Sequence, residues 1–400
     1  MITRESYLDR LRKVKNINLI KVITGVRRCG KSTLLAQFRD ELSTDPNSNI
    51  IYYNLEEKEN EHFLADADTL YTQIMSELDK NAMNYIFIDE IQMVPDFERM
   101  LDSLYVKPHT DIYITGSNAY MLSSDIATLL TGRYIEIKMQ PLSFSEFSQF
   151  FDSSVDKHQL FEWYLQFGGF PEAANMLVSG ASSEIPTYLQ AVYNTIAEKD
   201  IRERKEIRSI DEFRRVYRYC LDNIGNITSP NRIANVLNSS SKSIDHKTVD
   251  GYLQALADCF LLYRAERYDI RGKELLRTGS KYYSVDLGLA DILLGRPSTA
   301  NLGHRIENIV FLELNKRCRS VYVGKNYTRE IDFVVKNHAN ETEYYQVSQT
   351  VADQATLERE LSAIKNTGDH HVRTILTMDP LESNENGINC RNLVNWLLDT

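Results

Sequence analysis

The chain has no uninterrupted apolar stretch approaching the roughly 18 residues that a membrane span requires. Its opening residues, Met1-Ile2-Thr3-Arg4-Glu5-Ser6, lack the basic and then apolar segments of a secretion leader. These absences lead to the expectation of a cytoplasmic protein without a membrane partner. Cysteine is scarce and unpatterned: Cys29, Cys220, Cys259, Cys318 and Cys390 are odd in number, widely scattered and never paired at metal-ligand spacing. Neither a disulfide framework nor a zinc site is expected, and reduced thiols are the default. The histidines form no ligand pattern, and the adjacent His370-His371 reads as a solvated loop. An overall basic excess is also missing. The formal net charge of −10 argues against a protein coated in nucleic acid and leaves room for a local basic patch. What is present is ordinary: 42% hydrophobic and 26% charged residues in a 400-residue chain, enough for roughly two to four domains with their own cores.

Against that background Gly25-Val26-Arg27-Arg28-Cys29-Gly30-Lys31-Ser32 stands out. An apolar run at 19–24 precedes it and a helix-like stretch from Thr33 to residue 42 follows. A strand feeding a Gly-rich turn into a helix N-terminus aims several backbone N–H groups at one point, where the helix dipole also favours an anion. The segment from Gly25 to Thr33 is therefore expected to cradle the phosphates of ATP, with Lys31 reaching the β- and γ-phosphates and Ser32 holding Mg²⁺. Further on, Tyr85-Ile86-Phe87-Ile88 ends in Asp89-Glu90. A short apolar run closed by two carboxylates is a buried strand delivering acids to the carboxyl edge of a sheet, where open α/β sheets bind ligands. In isolation the pair is an ordinary strand-end turn; beside the loop, Asp89 is placed to orient Mg²⁺ and Glu90 to polarise the attacking water.

Strands at 19–24, 50–55, 85–88, 112–115 and 134–139 alternate with helical stretches, the pattern of a parallel sheet covered on both faces. Helix-start signals at Pro141-Leu142-Ser143 open an aromatic-rich, mostly helical stretch, interrupted at Gly168-Gly169-Phe170-Pro171. It reads as a small lid on the nucleotide domain. Residues 206–296 then give a helix, a second helix, a polar turn, a third helix with Val249, Tyr252, Leu253, Leu256 and Phe260 on one face, and strands at 261–267 and 281–285 around a loop at 268–280. That order is the winged-helix arrangement. The remainder opens with a helix carrying Ile306, Ile309, Val310 and Leu314, followed by strands, a helix, a strand and a final helix. The expected fold class is α/β: a P-loop NTPase parallel sheet (1–140) with a helical lid (141–205), a winged-helix domain (206–296), and a C-terminal α/β domain (297–400) in the order of a restriction-endonuclease-like core.

Four further constellations carry chemistry. Tyr113-Ile114-Thr115-Gly116-Ser117-Asn118 ends the strand after the acidic pair, so Ser117 or Asn118 is placed to sense phosphate or the attacking water. Arg133, between a helix and the next strand, suits an arginine finger acting on a neighbouring subunit of a homo-oligomer; a surface salt bridge is an equal alternative. Arg264, Arg267, Arg271, Lys273, Arg277 and Lys281 outnumber Glu266, Asp269 and Glu274 in the wing, and with Lys242, Lys247 and Thr248 they offer a contact surface for duplex DNA. Winged helices also dock proteins, so a protein partner stays open. In the last domain Glu307 and Asp332 occupy nuclease positions, and period-two alternation puts Glu330 with Asp332 and Gln346 with Ser348. A nuclease of this type wants Glu and Lys at the last two places, so the water-activating lysine is missing and the domain is expected to be inactive.

The segments GVRRCGKST, YIFIDEIQ, ITGSNA, LLTGRY, PLSFSEF, GGFPEA, the helix from Gly303 to Glu307 and REIDFVV together resemble the bacterial and archaeal AAA-type ATP-binding proteins that carry a C-terminal restriction-endonuclease-like domain of uncharacterised function. The resemblance spans nearly the whole chain. It implies a sheet with an additional strand and with the Asp89-Glu90 strand beside the loop strand. It also implies Glu90 as catalytic base and Arg133 as a family arginine. It supplies no biological role. The expected activity is Mg²⁺-dependent ATP binding and hydrolysis, served by Lys31, Glu90, Asn118 and Arg133, that moves the winged-helix and nuclease-like module on DNA. The alternatives are a slow ATP-dependent switch that docks a protein and an ATP-gated nuclease.

Overall fold

The computed structural model describes residues 2–117, 130, 132–197, 201, 207, 209–239, 244–296, 302–327, 329–365 and 367–399. Two compact units divide it, one made of Met1–Pro141 with Asp258–Phe260 and one of Leu142–Ala257 with Leu261–Thr400.

The first unit is built on strands β1 (Ile20–Gly25), β2 (Ser48–Asn54), β3 (Met83–Asp89), β4 (Thr110–Gly116) and β5 (Tyr134–Met139), all parallel, in the order β2-β3-β4-β1-β5. The inner strands are buried nearly end to end, which is why they read as continuous apolar runs. The helices Lys31–Leu42, Ala67–Glu77 and Phe97–Tyr105 supply Leu34, Ile74 and Leu101 to the core. The order corrects one expectation: β3 does not lie beside β1, because β4 pairs with both. A buried charge helps fix this. Lys21 on β1 is fully enclosed, and an enclosed ammonium needs an anion. Asp111 on β4 is that anion, and it also accepts from the Tyr113 hydroxyl at 2.7 Å and from Asn16 N at 2.9 Å.

In the second unit the helices Phe144–Ser148, Lys157–Phe167, Pro171–Val178 and Ile185–Thr195 realise the helical stretch. Ser143 and Glu146 form a capping box at its start. The segment expected as a lid groups with the C-terminal half, and one carboxylate explains part of this. Asp286 caps the helix Leu287–Leu294 through Leu289 N at 2.8 Å and accepts from Gly169 N at 2.6 Å. At Gly168 (φ 77°) a Cβ would stand 2.1 Å from the same carboxylate, so the close approach requires glycine.

The helices Ile210–Asp222, Pro230–Asn238 and His246–Asp258 precede a hairpin of β6 (Leu262–Asp269) and β7 (Glu274–Ser284). Most of the expected loop at 268–280 is therefore strand. The hairpin is not a separate wing. Strands β8 (Ser320–Asn326), β9 (Arg329–Lys336), β10 (Thr342–Val347), β11 (Val372–Thr377), β12 (Ser383–Glu385) and β13 (Ile388–Asn392) join it in one eight-stranded sheet, ordered β12-β13-β11-β10-β9-β8-β6-β7. The link is a parallel pairing of β6 with β8, Arg267 opposite Val323, so the boundary read at 296/297 cuts through a sheet. Lys281, counted with the exposed wing cations, is instead buried. Among the described residues no helix is long and apolar enough to cross a membrane.

Candidate nucleotide-binding site

Parallel strands carry their carboxyl ends to one sheet edge, and the loop after β1, the acids after β3 and the polar tip of β4 all stand there. The chain leaves β1 at Gly25 and enters the helix Lys31–Leu42 at Gly30. At Gly25 (φ 151°) a Cβ would lie 2.2 Å from Met139 O, so the approach of the loop to β5 admits only glycine. Arg28 (φ 65°) and Gly30 (φ 102°) take left-handed conformations to close the turn. Gly30 caps the helix without a side chain, and the helix dipole favours an anion at the first-turn N–H groups.

Around that turn the side chains sort themselves by burial. Val26 and Cys29 point into the core; the Cys29 thiol lies 3.7 Å from Met139 O, and burial pushes its pKa up. Arg27 pairs with Glu56 at 3.6 Å, Arg28 and Ser32 are exposed, and Thr33 is half-buried. Lys31 is buried and its Nζ donates to Gly25 O at 3.0 Å and Val26 O at 3.2 Å, which holds the ammonium against the loop.

Two strands away in the sheet, at the end of β3, Asp89 and Glu90 are bound together by Thr115 at the end of β4. Its hydroxyl accepts from Glu90 N at 2.9 Å and donates to Asp89 Oδ1. The Asp89 carboxyl is 1% exposed, and burial raises its pKa against the opposing effect of hydrogen bonds from Ser32 and Thr115. Ser32 and Asp89, both expected at Mg²⁺, are thus in contact. Glu90 has φ 57° and ψ 44°, a conformation that costs a non-glycine residue energy and aims its side chain away from the strand direction. Gln92 Nε2 donates to Glu90 Oε2 and lies 3.4 Å from Ser117 Oγ, so the acid and the sensor position are joined through one carboxamide.

Not every expected residue joins this group. Asn118 lies outside the described residues. Arg133 stands at the other end of the strands: Ile20 N, at the start of β1, donates to Arg133 O at 2.8 Å. At about 3.3 Å per residue the length of β1 puts it roughly 16 Å or more from the loop of its own chain. Its guanidinium pairs with Asp102 and sits 5.3 Å from the Tyr105 ring centre. Three residues without an assigned role do belong to the site. Thr115 and Gln92 sit inside motifs read for their neighbours. Arg4 gave no signal, yet its buried guanidinium donates to Cys29 O at 3.1 Å, Gln140 O at 2.8 Å and Pro141 O at 3.2 Å, tying the loop backbone to the end of β5. In the second unit Glu307, Glu330, Asp332 and Gln346 come together, whereas Ser348 turns to Thr350 O at 3.0 Å.

The donors available near the loop are hard oxygens, the Ser32 hydroxyl and the Asp89 carboxylate, and among the described residues no group of three or more His, Cys, Asp or Glu is arranged to enclose a metal. Hard oxygen donors of this kind fit Mg²⁺, which keeps most of its waters and takes further oxygens from bound phosphates.

Known proteins resemble this chain in sequence. The family of AAA domains matches residues 18–148, and a domain of unknown function (DUF8612) matches residues 158–300. An uncharacterised protein of Haemophilus influenzae is 39% identical over 407 aligned positions, covering 100% of this chain and 99% of that protein. An uncharacterised protein of Methanocaldococcus jannaschii is 30% identical over 333 positions, covering 80% of this chain and 72% of the relative. The solved structure of a Walker-type ATPase of Pyrococcus abyssi is similar at 16% identity and a TM-score of 0.49, over 73% of this chain and 96% of that one.

Proposed function

The chain belongs to one family with the uncharacterised Haemophilus influenzae and Methanocaldococcus jannaschii proteins and carries an AAA-type P-loop ATPase domain, and on that premise we propose that it binds ATP with Mg²⁺ and hydrolyses it. The observation that carries the proposal is the meeting of Lys31, Ser32, Asp89, Glu90 and Thr115 at one sheet edge. The loop N–H groups and Lys31 grip the phosphates. Ser32 and Asp89 would hold Mg²⁺, which neutralises charge on the β- and γ-phosphates. Glu90 takes the proton of the attacking water, held in place by Thr115 from the backbone side and by Gln92 from the side-chain side. Gln92 in turn links Glu90 to Ser117, and Asn118 follows it in sequence as the remaining sensor candidate. Lys31→Ala should abolish binding of a fluorescent ATP analogue in the presence of Mg²⁺; retained affinity would contradict the phosphate grip.

Hydrolysis is proposed to move the second unit, in which three helices and a hairpin follow the order of a winged helix and a single antiparallel bridge pairs Thr228 with Ser280 of the hairpin. Engagement with duplex DNA is favoured by the exposed Arg264, Arg271 and Lys273 and by the exposed Tyr327, whose ring centre lies 4.6 Å from the Arg271 guanidinium. Turnover should then rise with duplex DNA, and binding should weaken with salt and when Arg267, Arg271 and Lys273 are neutralised. Turnover indifferent to DNA would favour the switch that docks a protein.

A further inference from the structure

Lys281 lies in β7 with its side chain 2% exposed. Burying an ammonium costs several kcal/mol unless anions meet it. Here three do, from two elements distant in sequence: Glu307 Oε1 at 2.9 Å from the helix Leu302–Arg317, and Glu330 Oε1 at 2.7 Å and Asp332 Oδ1 at 3.7 Å from β9. Burial opposes the charge on Lys281, but the three carboxylates outweigh it and hold the lysine protonated. The other atoms of the cluster are also engaged. The Tyr283 hydroxyl donates to Glu307 Oε1 at 2.7 Å, and His304 Nδ1 lies 3.8 Å from Glu307 Oε2. Val347 N donates to Asp332 Oδ2 at 2.9 Å, and Gln346 Oε1 accepts from Asp332 N at 3.2 Å.

Carboxylates gathered from a helix and a neighbouring strand normally need a cation between them to offset their repulsion. We propose that Lys281 is that cation: its ammonium holds the place between Glu307, Glu330 and Asp332 that a divalent ion would take, so the centre is closed to metal and serves as a strut joining β7 to β9 and to the helix Leu302–Arg317. The cluster then resembles a nuclease centre in its acids and differs in function, because the lysine bridges the acids and offsets part of their charge instead of waiting beside a metal for water. Two properties of the site agree. The lysine bridges all three acids instead of pairing with one, and Glu307 Oε1 already accepts from both Lys281 and Tyr283.

The test uses the full chain carrying Asp89→Ala, so that the nucleotide site contributes no metal binding, and follows Mn²⁺ by electron paramagnetic resonance and by thermal melting. The parent is expected to bind no Mn²⁺ through this cluster. Lys281→Ala is expected to gain Mn²⁺ binding and to melt higher when Mn²⁺ is added, and a further Asp332→Asn should remove both gains. Lys281→Arg, which keeps the charge, should stay metal-free. If Lys281→Ala folds poorly, Mn²⁺ should restore its melting transition. The proposal is overturned if the parent binds Mn²⁺ in a way that Asp332→Asn abolishes, or if Lys281→Ala, folded or not, gains nothing from the metal.

Discussion

Thr115 is the residue on which both acids of the nucleotide site depend, since one hydroxyl serves Asp89 Oδ1 and Glu90 N. Thr115→Val keeps the shape and removes the hydroxyl, leaving a buried N–H without its partner at a cost of about 1–3 kcal/mol. ATP affinity should change little, because Lys31 and the loop are untouched, while turnover falls; titrating nucleotide binding and steady-state phosphate release separates the two. Equal turnover would mean that Glu90 does not need this support. At this scale the sequence was most legible where a residue's letter is tied to backbone geometry. Gly25 and Gly30 could be read because only glycine tolerates the close approach or the turn, and Lys31 and Asp89 could be read from their spacing to them. Arg4 was illegible because a lone arginine has no spacing to betray that it reaches backbone carbonyls at residues 29, 140 and 141. In the sequence Lys281 looks like one cation in a charged run. Its signal was period-two alternation: it shares a strand face with Tyr283, which stacks at 4.2 Å on the buried Phe311.

Among elements, β4 decides where the acids stand. Its Asp111 answers the buried Lys21 of β1, and burial lowers the lysine pKa while Asp111 acts to raise it. Asp111→Ala strands that ammonium and should cost about 3–5 kcal/mol in urea unfolding, whereas the double variant Lys21→Met with Asp111→Leu should recover most of the loss. A single variant as stable as the parent would remove the pair as the reason for strand order. That order was hidden in the sequence because each strand advertises its own apolar run and nothing in the run names its neighbour. The strand ends, by contrast, fall within a few residues of the runs. Element placement also sharpens the question of Arg133, which faces Asp102 far from its own loop. If the finger acts across subunits, Arg133→Ala should bind ATP but lose turnover, and mixing it with Lys31→Ala should restore part of it. A fully active monomer in sedimentation would contradict the role.

For the whole molecule, the sequence separated four segments where the structure groups the chain into two units. The reason is physical: a hairpin reads the same locally whether its edge is free or paired, and only the distant strand β8 reveals that β6 is paired. The larger unit gathers Glu307 and Asp332 around a lysine from the hairpin. In the proposed function Glu90 activates the attacking water. The most direct measurement is single-turnover hydrolysis of saturating ATP with Mg²⁺ by the purified parent and by Glu90→Gln, with bound nucleotide quantified in both. Equal occupancy is expected, with a rate lower by about 10²-fold or more in the variant, the scale of lost general-base catalysis. Equal rates at equal occupancy would contradict this role of Glu90, and the water-activating group would have to be sought elsewhere.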